Sequence, residues 1–122
     1  MQLLGLPTRE ADYDQAQTLT VSVLPTGASI VKWNLSTQQN AEITLTQNVT
    51  FDAPIGWKKG RLVMLEIIQG GAGSFTAAWN SNFKSVSALT LGTAAGSSNV
   101  LVFKCIDGGV LSLVSNSTMT RT

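Results

Sequence analysis

The chain contains no histidine, so the commonest general base and the commonest zinc ligand are both missing. Its single cysteine, Cys105, has no intrachain partner, which excludes a small secreted scaffold stapled by disulfides. Charge is scarce: 12% of the residues are charged, about half the ~25% of an ordinary globular chain. The net charge of +1 is scattered singly apart from Lys58-Lys59 and Arg61. Nothing forms the basic stripe that nucleic-acid binding needs, and that small cluster reads as a solvated turn or edge. No apolar run approaches the roughly 20 residues required to cross a bilayer. The opening Met-Gln-Leu-Leu-Gly-Leu-Pro lacks the basic and long apolar regions of a signal peptide.

What remains is a chain of 122 residues, one domain by length, with 14 Thr and 12 Ser supplying the polarity that charge does not. Thr favours strands, whereas Ser and Gly favour turns. The most informative stretch is Arg61 to Trp79. Arg-Leu-Val-Met-Leu-Glu-Ile-Ile-Gln is followed by Gly-Gly-Ala-Gly and then by Ser-Phe-Thr-Ala-Ala-Trp. A short apolar run bounded by glycines fits a strand buried on both faces, and the glycines suit a tight reversal. This pattern predicts a central β-hairpin.

The rest of the chain reads the same way. Thr18 to Val23 alternates with period two, Pro25-Thr26-Gly27 marks a turn, and Ala28 to Leu35 places Val31, Trp33 and Leu35 on one face. Glu42 to Thr46 and Val49 to Phe51 predict one or two short strands. Trp57 stands in a connecting loop and is expected to fold back over an end of the core. Ser87 to Leu91 predicts a short strand. Val100 to Ile106, Asp107-Gly108-Gly109 and Val110 to Val114 predict a hairpin, because Asp-Gly and Gly-Gly tolerate positive φ. Cys105 alternates inside this segment as a small buried hydrophobe. Ser115 to Thr122 is polar and reads as a frayed end.

These strands predict an all-β domain, an antiparallel β-sandwich over residues 17–122, with alternation and short connections that exclude the long crossovers of a parallel sheet. Residues 1–16 differ: Leu3, Leu4 and Leu6 form an apolar tip, Pro7 interrupts it, and Thr8 to Asp14, including Tyr13, is polar and charged. They read as an extended N-terminal arm, with Leu3, Leu4, Leu6, Pro7 and Tyr13 as partner-binding residues.

Chemistry is thin. Seven carboxylates are present: Glu10, Asp12, Asp14, Glu42, Asp52, Glu66 and Asp107. Asp12 and Asp14 lack the rest of a calcium loop. Glu66 interrupts an apolar strand, either as an acid of raised pKa or, more simply, as an outward residue or a partner of Lys104 or Lys32. Gly70 to Ser74 lacks the Gly-Lys-Ser/Thr ending of a phosphate loop. A serine or threonine nucleophile would have no base beyond a lysine. No catalytic residue, metal ligand or cofactor is assigned, and the chain is not read as an enzyme.

Asn48-Val49-Thr50-Phe51, Pro54, the Gly60 to Trp79 stretch and the Val100–Val114 hairpin around Asp107-Gly108 occur in an order that resembles virion proteins of tailed bacteriophages. The resemblance spans about residues 34 to 115. It implies a jelly-roll-like β-sandwich of capsid decoration (cement) proteins, or of tail-fibre and collar components. The proline-rich loop frequent after the family's tryptophan is replaced here by Asn80-Ser81-Asn82. The resemblance implies a homo-oligomer, trimeric where it occupies threefold positions, bound to the major capsid protein, without nucleic acid or membrane. Its place would be the virion, assembled in the bacterial cytoplasm. An alternative is a carbohydrate-binding module in which exposed Trp33, Trp57 or Trp79 stacks on sugars.

Overall fold

A computed structural model describes residues 22–24, 29–85 and 89–120. Among the described residues nine strands follow one another: β1 (Ser22–Val23), β2 (Ile30–Val31), β3 (Asn40–Leu45), β4 (Val49–Phe51), β5 (Leu62–Gln69), β6 (Ala77–Trp79), β7 (Phe83–Lys84), β8 (Ser97–Cys105) and β9 (Leu111–Thr120). The all-β expectation holds. The strands form two sheets, one in the order β1-β3-β5-β8-β9-β7 and one in the order β2-β4-β6.

The first six strands alternate between the sheets. The odd strands stack parallel in the larger sheet, and the even strands stack parallel in the smaller one. The chain therefore winds through three solenoid-like coils. A parallel pair needs a crossover of about a dozen residues or more. Residues 24–39 and 46–61 supply it, with β2 and β4 lying inside those crossovers as strands of the opposite sheet. The expectation of an antiparallel course is corrected here, because short connections between consecutive strands do not imply that those strands pair.

The predicted Arg61–Trp79 hairpin is corrected for the same reason. β5 pairs with β3 and β8, whereas β6 pairs with β4 in the other sheet. The glycine stretch between them carries the chain across the core. The hairpin at Asp107–Gly109 does form: β8 and β9 run antiparallel, and Gly108 and Gly109 take φ of 75° and 78°. Its second limb is longer than expected. Ser115 to Thr120, predicted to fray, pairs with Ser97 to Val102, since backbone pairing does not require apolar side chains. Leu89 to Leu91 is not a strand, and residues 86–88 lie outside the described residues.

The core lies between the sheets. β3 alternates half-buried and buried, putting Ala41, Ile43 and Leu45 inward beside Leu65, Ile67 and Gln69 of β5. β5 is covered on that face alone, not on both, and Met64, Glu66 and Ile68 occupy its other side. In the smaller sheet the parallel register sets Val31, Phe51 and Trp79 side by side. Phe51 stacks on Trp79 at 4.5 Å between ring centroids and 10° between planes. Phe103 of β8 meets Trp33, Trp79 and Phe83 at 6.3, 6.1 and 5.4 Å, which joins the two layers. Trp33 is fully enclosed, and its Nε1 donates to the Gln38 carbonyl at 2.6 Å. Trp57 folds back as expected, packing on the core and donating from Nε1 to the Val110 carbonyl. Cys105 is buried, also as expected.

Among the described residues, Lys32–Asp52 at 3.2 Å and Lys59–Asp107 at 2.7 Å form exposed ion pairs. Such pairs contribute little to stability. The Asp52 carboxyl is nonetheless held below the ordinary carboxylate range, first by the Ala53 N–H it accepts at 2.8 Å and second by Lys32. Because the folded form is the stronger acid, any stabilisation is present above the unfolded pKa and fades as pH falls through the folded one. A carboxyl NMR titration should find Asp52 more acidic than a free aspartate. In Lys32→Met it should rise only part of the way, because the Ala53 bond remains. An ordinary value in the native protein would contradict this geometry.

Candidate interaction surface

The residues singled out from sequence are dispersed. Leu3, Leu4, Leu6, Pro7 and Tyr13, with the whole 1–16 arm and Glu10, Asp12 and Asp14, lie outside the described residues. Glu66 lies on the outward side of β5, in register with Glu42 on β3 and Val100 on β8. The lysines proposed to face it are placed elsewhere: Lys104 lies opposite Leu62, and Lys32 meets Asp52. Asp107 is at the far hairpin. Among the described residues, no three His, Cys, Asp or Glu side chains converge as a metal site would need. Lys58 and Lys59 are exposed, while Arg61 Nη1 donates to the carbonyls of Gly56 and Leu35 at 2.9 and 3.3 Å.

Gly70 to Ser74 spends its backbone donors internally. Gly73 donates to the Gly70 carbonyl and Ser74 to the Thr93 carbonyl. Gly73 holds a φ of 79°, and a Cβ there would overlap the backbone of Thr93 and Ala95, so glycine alone fits.

Two buried amides fasten the neighbouring loops. Gln69, 3% exposed, donates from Nε2 to the carbonyls of Phe75 at 2.7 Å and Gly92 at 3.0 Å. Its Oε1 accepts the Phe75 N–H at 3.1 Å. Asn99 Oδ1 accepts the Gly92 N–H at 2.8 Å, and its Nδ2 donates to Asn116 Oδ1 and Thr118 Oγ1. Asn116 in turn donates to the Thr90 carbonyl. Gly92 is thus held at both its N–H and its C=O. The amides stand in for a missing strand, satisfying backbone groups that would otherwise be buried without partners.

Beside this clamp lies a groove of about 270 Å³ lined by Phe75, Thr76 and Ala77 and by residues 89–91 and Thr93. Among the described residues, no charged side chain lines it. Neither the clamp nor the groove was anticipated. The available signal was parity, since Gln69 shares the inward side of β5 with Val63, Leu65 and Ile67, and Asn99 shares that of β8 with Leu101, Phe103 and Cys105, Ser97 being the other polar residue there.

A second surface is the outer face of the larger sheet. The register sets Met64 beside Val102, Glu66 beside Val100, and Ile68 beside Ser98, with Met119 next to Ser98 on β9. Met64, Ile68, Val100 and Val102 are half-buried, and Met119 is 49% exposed. On this face the apolar side chains are interspersed with Glu66 and the buried Ser98 and bordered by Glu42 and Thr44 on β3 and by Ser115 and Ser117 on β9. The three tryptophans offer no comparable platform: Trp33 is enclosed, and Trp57 and Trp79 are half-buried against the core.

No protein-family model, curated protein or solved structure matches the chain.

Proposed function

We propose that the chain is a structural protein of a tailed-bacteriophage virion, a decoration or cement protein that covers the head as a homo-oligomer and works by surface contact. The observation that carries this reading is the outer face of the six-stranded sheet. Met64, Ile68, Val100, Val102 and Met119 lie on one side of a broad sheet, with the exposed Leu62 at the start of the same row of β5. Partly exposed apolar side chains gathered on one face mark a contact site. The charge-poor sequence agrees, because centres of protein interfaces are depleted in charge. The partner is the major capsid protein, and three copies suit a threefold position. Binding only the assembled shell would stabilise it by mass action, with no cofactor and no bond-making.

The test is occupancy on heads of the encoding phage, read by sedimentation and gel densitometry. Double substitution Met64→Lys with Val102→Lys should lower occupancy at least tenfold at unchanged circular dichroism. Removal of residues 2–10 should abolish it, also without unfolding the β domain. Full occupancy by both variants would end the proposal. Binding of the native protein to tails and not to heads would transfer the reading to a collar or fibre component.

A further inference from the structure

The larger sheet goes on past β5 with β8 and β9, whereas the smaller sheet stops at β6. β4 and β6 run parallel, with Val49 donating to the Thr76 carbonyl and Asn80 donating to the Phe51 carbonyl. Along a strand, successive residues turn their N–H and C=O alternately to one neighbour and to the other. The two bonds therefore direct the backbone groups of Ala78 at β4, and those of Ala77 and Trp79 at the opposite side. Among the described residues no strand pairs with that side.

The groove lies along this open edge, lined by Ala77 and by no described residue of β4. Its other bank is formed by residues 89–91 and Thr93. The two banks meet where Ser74 donates to the Thr93 carbonyl, and among the described residues no further backbone bond joins Phe75–Ala77 to Leu89–Leu91. Gln69 and Asn99 hold Phe75 and Gly92, so both banks are anchored before anything enters. A preformed site avoids the cost of ordering its own walls on binding. Phe75, Leu89 and Leu91 are half-buried, large apolar side chains left partly open.

These features select the occupant. It must offer backbone donors and acceptors at strand spacing to Ala77 and Trp79. It must also place apolar side chains against Phe75, Leu89 and Leu91. A charge entering here would lose water and find no partner among the lining side chains. A compact apolar molecule would leave the backbone groups of Ala77 unmatched, whereas an added strand meets every condition.

We propose that the Ala77 edge takes an extended, uncharged peptide segment of a partner protein as a fourth strand of the smaller sheet. Alternate apolar side chains of that segment seat against Phe75, Leu89 and Leu91. The site shares no residue with the outer face of the larger sheet, so the inference goes beyond the virion reading and stands without it.

The probe is a pentapeptide of alternating valine and threonine, blocked at both ends, titrated into the full-length protein and followed by amide NMR. Shifts should centre on Ala77, Trp79 and Leu91. The Ala77 amide should exchange freely with solvent in the free protein and at least tenfold more slowly when the peptide is bound. The same peptide N-methylated at alternate amides should bind at least tenfold more weakly. Ala77→Pro removes the N–H that faces the groove and no bond to β4, a placement that edge strands tolerate. It should weaken binding at least tenfold at unchanged circular dichroism, and Leu91→Lys should do the same without touching either sheet. An Ala77 amide already protected in the free protein would mean that the chain covers its own edge, which would overturn the proposal. So would an absence of shifts at Ala77, or equal binding of the N-methylated peptide, which would make the groove a seat for apolar side chains alone.

Discussion

Replacing Phe51 with alanine is expected to cost about 4 kcal/mol of folding stability, within the ~3–5 kcal/mol typical of emptying a buried aromatic site. The ring is fully buried and lies flat on Trp79, with Phe83 edge-on at 6.5 Å. Its removal forfeits the transfer free energy of the ring, the stacking contact, worth roughly 0.5–1.5 kcal/mol, and the packing around the void. The void would not collapse easily, because β4 is the middle strand of the smaller sheet. Thr50 and Asp52 donate to the Ser29 and Val31 carbonyls on one side, and Asn80 donates to the Phe51 carbonyl on the other. These bonds fix the backbone on both flanks of the cavity. A domain of this size is stable by only about 5–15 kcal/mol, so the variant should unfold at a much lower urea concentration with the slope of the transition unchanged. Phe51→Leu, which refills part of the space, should cost less than half as much. A loss below about 1 kcal/mol for the alanine would mean that the two sheets do not close over this ring.

The sequence made the faces of the strands legible but not their partners. Alternation placed Val31, Trp33 and Leu35 on one face, and all three are buried; the Asp107–Gly109 reversal followed from residues that accept positive φ. Alternation carries no information about which strand lies alongside. Gly70 to Gly73 would serve a hairpin or a crossing between layers equally well, and the outcome depends on where β3 and β4 wait. Ser115 to Thr120 lacked any apolar period because both its faces are exposed, yet its backbone completes a long ladder with β8. Leu89-Thr90-Leu91 alternates like a strand, but its surroundings are held by the side chains of Asn99 and Asn116 instead of a neighbouring strand. The outer face of the larger sheet could not be read before β5, β8 and β9 were known to be adjacent. Met64 and Val102 are far apart in the chain and become cross-strand neighbours through that pairing alone, and the row Ile68, Ser98 and Met119 arises in the same way.

Gln69 is where one polar side chain among apolar ones has the most to lose. In Gln69→Leu, the Phe75 N–H and the carbonyls of Phe75 and Gly92 would all lose their side-chain partner. A buried polar group without a partner costs roughly 1–3 kcal/mol, and the added aliphatic burial returns only part of this. The expected net loss is about 3 kcal/mol by urea unfolding. Gln69→Glu separates the polar bonds from the volume they occupy. The carboxylate keeps one acceptor but directs negative charge at two carbonyl oxygens, so the buried group should bind a proton and its folded pKa should rise above the ordinary value for glutamate. Between the unfolded and the folded pKa the native state then holds more protons than the unfolded state, and stability climbs as pH falls through that window. Gln69→Leu has no such group and should show no acid-side gain relative to the native protein. Measured from neutral pH down to about 5, just above the ordinary glutamate pKa of ~4.3, the difference between the two variants should therefore narrow or reverse. Losses under 1 kcal/mol in both, with no divergence in pH dependence, would mean that water reaches this amide and that the loops bordering the groove are fastened by something else.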